Sequence, residues 1–176
     1  QAPENFFGAE AAGLDLLRAG TSLRIPRVIH AAPDFILLED LGRSMPGDDF
    51  WARLGEGLAQ LHARKFDSFG LEFDNYCGRT PQRNSPTADG YGFFATYRLV
   101  LLAEKAGDAG LLDNNSIQRI DRLGSRLPDL LPEQPPVLIH GDLWSGNVHC
   151  SETGHPALID PACYRGWAEA ELAMTQ

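Results

Sequence analysis

The sequence predicts an α+β chain in two unequal parts, a small mixed segment followed by a larger, mainly helical lobe that ends in a β-hairpin. Three observations carry this. Short apolar runs punctuated by Pro and Gly fill residues 25–41; apolar residues recur at helical spacing between Asp49 and Leu127; and two further apolar runs flank a glycine-containing turn after Pro132-Glu133-Gln134-Pro135-Pro136. The expected division is residues 1–41 and 42–176, with the joint at Glu39-Asp40-Leu41-Gly42, where an apolar run gives way abruptly to a polar, glycine-containing stretch.

Taken in order, Glu4 to Ala19 carries Phe7, Leu14 and Leu17 at near-helical spacing, with Gly20 where a C-cap falls. Ile25-Pro26-Arg27-Val28-Ile29 and Phe35-Ile36-Leu37-Leu38 read as two strands joined by a turn at Pro33-Asp34. From Asp49, Trp51, Leu54, Leu58 and Leu61 fall at i, i+3, i+7 and i+10, one face of a helix with Asp48 or Asp49 as N-cap. Arg64 and Lys65 close it, where cations suit the helix dipole. Phe66 to Pro86 has no period and reads as a long loop. Two more helices are expected, one around Phe93 to Ala106 and one carrying Ile117, Ile120, Leu123 and Leu127 after a cap at Asn115 or Ser116.

Composition narrows the function classes. Hydrophobic residues are 43% and charged residues 22%, an ordinary globular balance. No apolar run reaches the ~20 residues of a membrane span and no signal segment opens the chain, so the expectation is a cytoplasmic protein without a membrane partner. A net charge of −9 argues against nucleic acid, whose binding needs clustered lysine and arginine. Cys77, Cys150 and Cys163 are odd in number and lack zinc-site spacing, which suggests reduced thiols.

One stretch concentrates chemistry: Val137-Leu138-Ile139, then His140-Gly141-Asp142-Leu143-Trp144-Ser145-Gly146-Asn147, then Val148-His149-Cys150 and Ala157-Leu158-Ile159-Asp160. If a four-residue turn at Glu152 to His155 closes the hairpin, Ser151 opposes Pro156, Val148 opposes Ile159, and Asn147 opposes Asp160. Directly paired residues lie ~4.5–5.5 Å apart at Cα, so an amide oxygen and a carboxylate there can share one cation. Magnesium suits them, because it takes hard oxygen ligands and keeps sites for water and phosphates. Asp142, five residues before Asn147, can face a hydroxyl. A base for the attacking hydroxyl and a metal for the developing charge are the parts of a phosphoryl transferase. Singly, each of these residues is ordinary turn chemistry; the joint pattern is what points to a site.

These residues, with Leu158-Ile159-Asp160-Pro161-Ala162-Cys163-Tyr164, Glu171-Leu172-Ala173-Met174-Thr175 and the Asp74 to Gly78 and Thr80 to Gln82 loop, resemble the fructosamine (ketosamine) kinase family over nearly the whole chain. The resemblance implies a protein-kinase-like two-lobe fold, here with an incomplete N-terminal lobe in residues 1–41 and a truncated catalytic lobe in 42–176. It implies ATP and Mg²⁺ as cofactors and a small-molecule or protein-bound ketosamine as substrate. By position it makes Asp142 the catalytic base, Asn147 and Asp160 the metal ligands, and Glu39, Asp40 and Leu41 the hinge whose backbone holds adenine. Glu10 matches the helix glutamate that pairs with a phosphate-binding lysine, and Glu171 an acidic residue that braces the catalytic loop. Trp144 either lines the sugar site or packs. His62 is expected to be structural, His140 to position the loop, and His30, His149 and His155 to be structural or exposed.

The glycine-rich loop and lysine that the family places before Glu10 are not in the sequence, whose lysines are Lys65 and Lys105, so the expectation is a chain cut at both ends. Two other readings stay open: an aminoglycoside- or choline-type phosphotransferase, which shares the loop, and a non-catalytic nucleotide-binding module.

Overall fold

The computed structural model describes residues 3–175. Helix α1, Phe6–Arg18, buries Ala9, Gly13, Leu14 and Leu17 and ends at Ala19. Two short antiparallel strands follow, β1 at Val28–Ala31 and β2 at Ile36–Leu38, with an irregularity between Val28 and His30. The strands start later than the apolar run at Ile25, because Leu23 and Ile25 are spent in the core.

Helix α2, Phe50–Ala63, buries Phe50, Leu54, Gly57, Leu58 and Leu61. The apolar stripe is therefore entered at Phe50, and Trp51, expected on the buried face, is 69% exposed. Asp49 precedes the helix but caps it with no side-chain hydrogen bond; its carboxylate accepts instead from Arg53 Nε at 2.6 Å. The expected loop of residues 66–86 contains a small hairpin, β3 at Asn75–Cys77 and β4 at Thr80–Gln82. The next helix is continuous in three parts: α3 at Gly90–Phe94, a π-helical turn at Ala95–Val100 and α4 at Leu101–Asp108. Helix α5, Asn114–Ser125, is capped by Asp113, whose carboxylate accepts from Ser116 N at 2.7 Å, two or three positions earlier than the sequence suggested. A short α6, Leu127–Leu130, leads to the proline break.

Strand β5, Val137–Ile139, is fully buried and pairs antiparallel with β8, Tyr164–Gly166. Between them lies the hairpin of β6, Val148–Cys150, and β7, Pro156–Leu158. Its register differs from expectation: Cys150 pairs with Pro156 and Val148 with Leu158, so Asn147 faces Ile159 and not Asp160. The reason is the turn. Gly154 N–H donates to Ser151 O at 2.9 Å, Gly154 takes φ +77°, and Ser151 N–H donates to His155 O at 3.0 Å, so only Glu152, Thr153 and Gly154 are looped out and the pairing slips by one. Helix α7, Ala168–Leu172, and a 3₁₀ turn at Ala173–Thr175 follow. Leu14, Leu17, Leu23 and Ile25 from the first segment share one core with Leu54, Leu58, Leu61, Ile139, Leu143 and Leu158 from the second.

Candidate active site

The catalytic-type loop hangs between β5 and the β6–β7 hairpin, and backbone geometry fixes its start. Gly141 has φ +80°, and a Cβ there would lie 2.2 Å from Ala162 O, so only glycine passes this close to the β8 approach. His140 O accepts from Ala162 N at 2.9 Å on the same seam. Asp142 N–H donates to His140 Nδ1 at 3.3 Å, and His140 Nε2–H donates to Ile159 O at 2.9 Å. That pattern requires the neutral ring, and burial pushes the His140 pKa down accordingly. His140 thus positions the loop, as its place in the sequence suggested.

Glu171 is fully buried, and its Oε1 accepts from the backbone N–H groups of His140 and Gly141, the latter at 3.1 Å. Its Oε2 lies 2.6 Å from Nε2 of His62, which ends α2. A carboxylate on α7 therefore ties α2 to the residues just before Asp142. The sequence left Glu171 open between a solvated carboxylate and a brace; the structure makes it the brace.

Beyond Gly141 the loop turns through Ser145–Asn147, a 3₁₀ turn, and Asn147 points inward. Its Nδ2 donates to Asp142 O at 2.8 Å and Asp142 Oδ2 at 3.2 Å, and approaches Asp160 O at 3.4 Å. Asn147 Oδ1 and the Asp160 carboxylate receive no donor among the described residues, and the Cys77 thiol lies against the Asp142 carboxylate. Asp160 reaches this point despite the slipped register because it adopts φ +54°, a left-handed turn that Asp tolerates and that ends the strand. Among the described residues no group of three His, Cys, Asp or Glu side chains can hold a metal. Asn147 Oδ1 and the Asp160 carboxylate are hard oxygen donors, of the kind a hard cation takes together with water and phosphate oxygens.

Glu10 lines a small cleft with Asp160 and Asn75, and burial, then the Asp160 charge, raises its pKa. No Lys or Arg pairs with it among the described residues, so two carboxylates face one cleft without a counter-ion.

At the joint, Glu39 N–H donates to Arg27 O and the Glu39 side chain pairs with Arg24 and Arg27, which lowers its pKa chiefly through the Arg27 backbone N–H. Asp40 Oδ1 accepts from Gly42 N, Leu41 O from Glu152 N, and Gly42 O lies 2.6 Å from His149 Nε2. These bonds stitch the joint to the hairpin turn and make His149 structural. The Glu39 carbonyl and the Leu41 N–H keep no partner among the described residues.

The sequence did not show how the β3–β4 hairpin reaches the site. Asn75 Nδ2 donates to Cys163 O, Gln82 Nε2 to Asn75 Oδ1 and Ala162 O, and Asn84 Nδ2 to Asn75 Oδ1, all with buried amides. This network clamps the hairpin onto the segment after Asp160 and brings Cys77 beside Asp142. Burial, then the Asp142 charge, pushes the Cys77 thiol up. The only signal was a density of Asn and Gln in a loop. Trp144 is 54% exposed and lies over Gly146, where a Cβ would be 2.3 Å from the indole.

The sequence profile of the fructosamine kinase family matches residues 1–176. A provisionally named ketoamine kinase of Synechocystis sp. is 39% identical over 97% of this chain and 59% of its own length. A chloroplastic protein-ribulosamine 3-kinase of Oryza sativa is 34% identical over 97% of this chain and 52% of its own. A crystal structure of a provisionally named fructosamine-3-kinase from Thermobifida fusca superposes with a TM-score of 0.90 at 32% identity, over 99% of this chain and 60% of that one. The chain thus spans between half and three-fifths of the length of these relatives. The mixed fold is the protein-kinase-like one these neighbours share. A profile matched from end to end, relatives more than a third identical and a common frame have one reading: the chain belongs to the fructosamine kinase family.

Proposed function

We propose that this chain is the catalytic part of a kinase that transfers the γ-phosphoryl group of ATP to a sugar hydroxyl of a ketosamine. One observation carries the reading: Asp142, Asn147 and Asp160 converge at the mouth of a single loop, with Asn147 Oδ1 and the Asp160 carboxylate left free of protein donors. Asp142 Oδ1 accepts the proton of the attacking hydroxyl, while Asn147 holds the other carboxylate oxygen in place. Asn147 Oδ1 and Asp160 hold Mg²⁺, which when bound neutralises charge on the phosphates. The free Glu39 carbonyl and Leu41 N–H, an acceptor and a donor two residues apart, suit the edge of adenine, so the division at Leu41 separates a nucleotide-facing segment from the catalytic lobe. Glu10 is placed to receive a phosphate-binding cation beside Asp160. The relatives named as ketoamine and ribulosamine kinases support the acceptor class. Among the described residues no helix is long and apolar enough to cross a membrane.

The deciding experiment is a competition assay on the full-length protein with ATP and Mg²⁺, measuring kcat/KM for a fructosyl-amine, a kanamycin-like aminoglycoside and choline. A site that hydrogen-bonds a polyol rejects acceptors lacking those groups, so a preference of roughly 100-fold or more for the fructosyl-amine is expected. A preference for either rival moves the substrate class and keeps the chemistry.

The metal assignment has its own test. Asp160→Asn preserves the left-handed backbone and removes one anionic oxygen. Affinity for Mg²⁺-nucleotide is expected to fall about tenfold or more, while affinity for nucleotide in EDTA is unchanged, since Asp160 is given the metal and not the base. Equal losses in both titrations count against the pair as metal ligands.

A further inference from the structure

We propose that the cavity between the β3–β4 hairpin, helix α4 and helix α7 is the subsite for the hydrocarbon substituent on the amine nitrogen of the acceptor. A ketosamine has two arms, a sugar and whatever the amine carried before. The proposal rests on the kinase reading above and adds which part of the acceptor this wall recognises.

The cavity holds about 360 Å³, within the range of small-molecule sites. It touches the catalytic loop at Gly141, the residue before Asp142, and Cys77 on its wall lies near the Asp142 carboxylate. An acceptor hydroxyl at Asp142 therefore places the rest of the molecule at the mouth of this cavity. A larger cavity of about 540 Å³, lined by Phe69, Tyr91 and Trp167, opens at Pro136, the other end of β5, and does not adjoin the loop.

The lining decides the chemistry. Phe94, Tyr97, Leu102 and Met174 present rings and methylenes. The charged and amide side chains on the wall, Arg98 and Gln82, turn most of their donors into the protein, and the one Arg98 donor without a partner, Nε, is buried away from the cavity. Arg98 donates to Arg83 O at 2.8 Å and Asn84 Oδ1 at 2.6 Å, and its guanidinium lies over the rings of Tyr164 and Phe93, 3.9 and 4.7 Å from their centroids. Gln82 gives its amide N–H groups to Asn75 and Ala162. A sugar placed here exchanges water for few partners, which is costly, whereas an alkyl or aryl arm gains by burial. The polyol thus stays at the loop and the amine substituent enters the cavity.

The test is a series of 1-deoxy-fructosyl amines bearing methyl, n-butyl, n-hexyl and benzyl groups, assayed for kcat/KM on the full-length protein with ATP and Mg²⁺. The value is expected to rise roughly tenfold or more from methyl to n-hexyl, as methylenes leave water. Ala173→Phe, on the cavity wall, fills the cavity and is expected to abolish the rise while leaving the N-methyl acceptor unchanged. Leu102→Ala, at a 39% exposed wall residue, is expected to flatten it partly. A flat series in the unmodified protein, or a slope that survives both substitutions, overturns the subsite and leaves the kinase reading standing. Phosphorylation of no ketosamine at all overturns both.

Discussion

Asp142→Asn in the full-length protein is expected to lower kcat by roughly 10²–10⁴-fold, the usual share of a positioned base, with little change in nucleotide affinity. The substitution is nearly isosteric, and the loop has what it needs to keep its shape. Asn147 Nδ2 still finds the Asp142 backbone carbonyl at 2.8 Å, and a side-chain amide oxygen can replace the carboxylate oxygen that now accepts from it at 3.2 Å. What the variant loses is the ability to take a proton at Oδ1. Because the groups proposed to hold nucleotide and metal, at Glu39, Leu41, Asn147 and Asp160, are untouched, nucleotide binding measured by calorimetry is expected to match the parent. Single-turnover kinetics with a fructosyl-amine separate chemistry from product release. A variant that turns over at the parent rate removes Asp142 from the mechanism.

Most of this site was legible because it is local. Asp142 and Asn147 sit five residues apart in one loop, and their hydrogen bond forms within that loop. Helix α2 was legible from Leu54, Leu58 and Leu61, but its first turn was not: Phe50 and Trp51 both extend that stripe at helical spacing, and only packing decided that Phe50 is buried. The hairpin register turned on one left-handed glycine, Gly154, and a three-residue loop draws on the same residues as a four-residue one. Asp160 nevertheless arrived at the site, through its own positive φ, which no periodicity announces. Least legible were the long-range polar contacts. Asn75, Gln82 and Asn84 bond to carbonyls and amides that include residues some 80 or more positions away, and His62 meets Glu171 across 109 positions. A buried amide or histidine looks, in sequence, like a solvated one.

That last contact supplies the second large effect. Glu171→Leu is expected to lower the unfolding free energy by about 3–5 kcal/mol, a large part of the ~5–15 kcal/mol that holds a typical domain together. Three donors lose their acceptor at once: the N–H groups of His140 and Gly141, and Nε2 of His62. Glu171 is fully buried, so water does not replace the carboxylate, and each orphaned group carries a desolvation cost of ~1–3 kcal/mol. His62→Leu alone is expected to cost less, about 1–3 kcal/mol, because Oε1 keeps its two backbone partners. Glu171→Gln, which retains one oxygen for those N–H groups, is expected to fall between the parent and Glu171→Leu. The pair also makes a prediction that a generic core mutation does not. In the double variant His62→Leu/Glu171→Leu the leucines meet across the former hydrogen bond, so the loss is expected to be smaller than the sum of the singles by ~1 kcal/mol or more. Urea denaturation of the four proteins measures this coupling. Strict additivity, or a Glu171→Leu protein within ~1 kcal/mol of the parent, would show that the catalytic loop does not lean on this carboxylate.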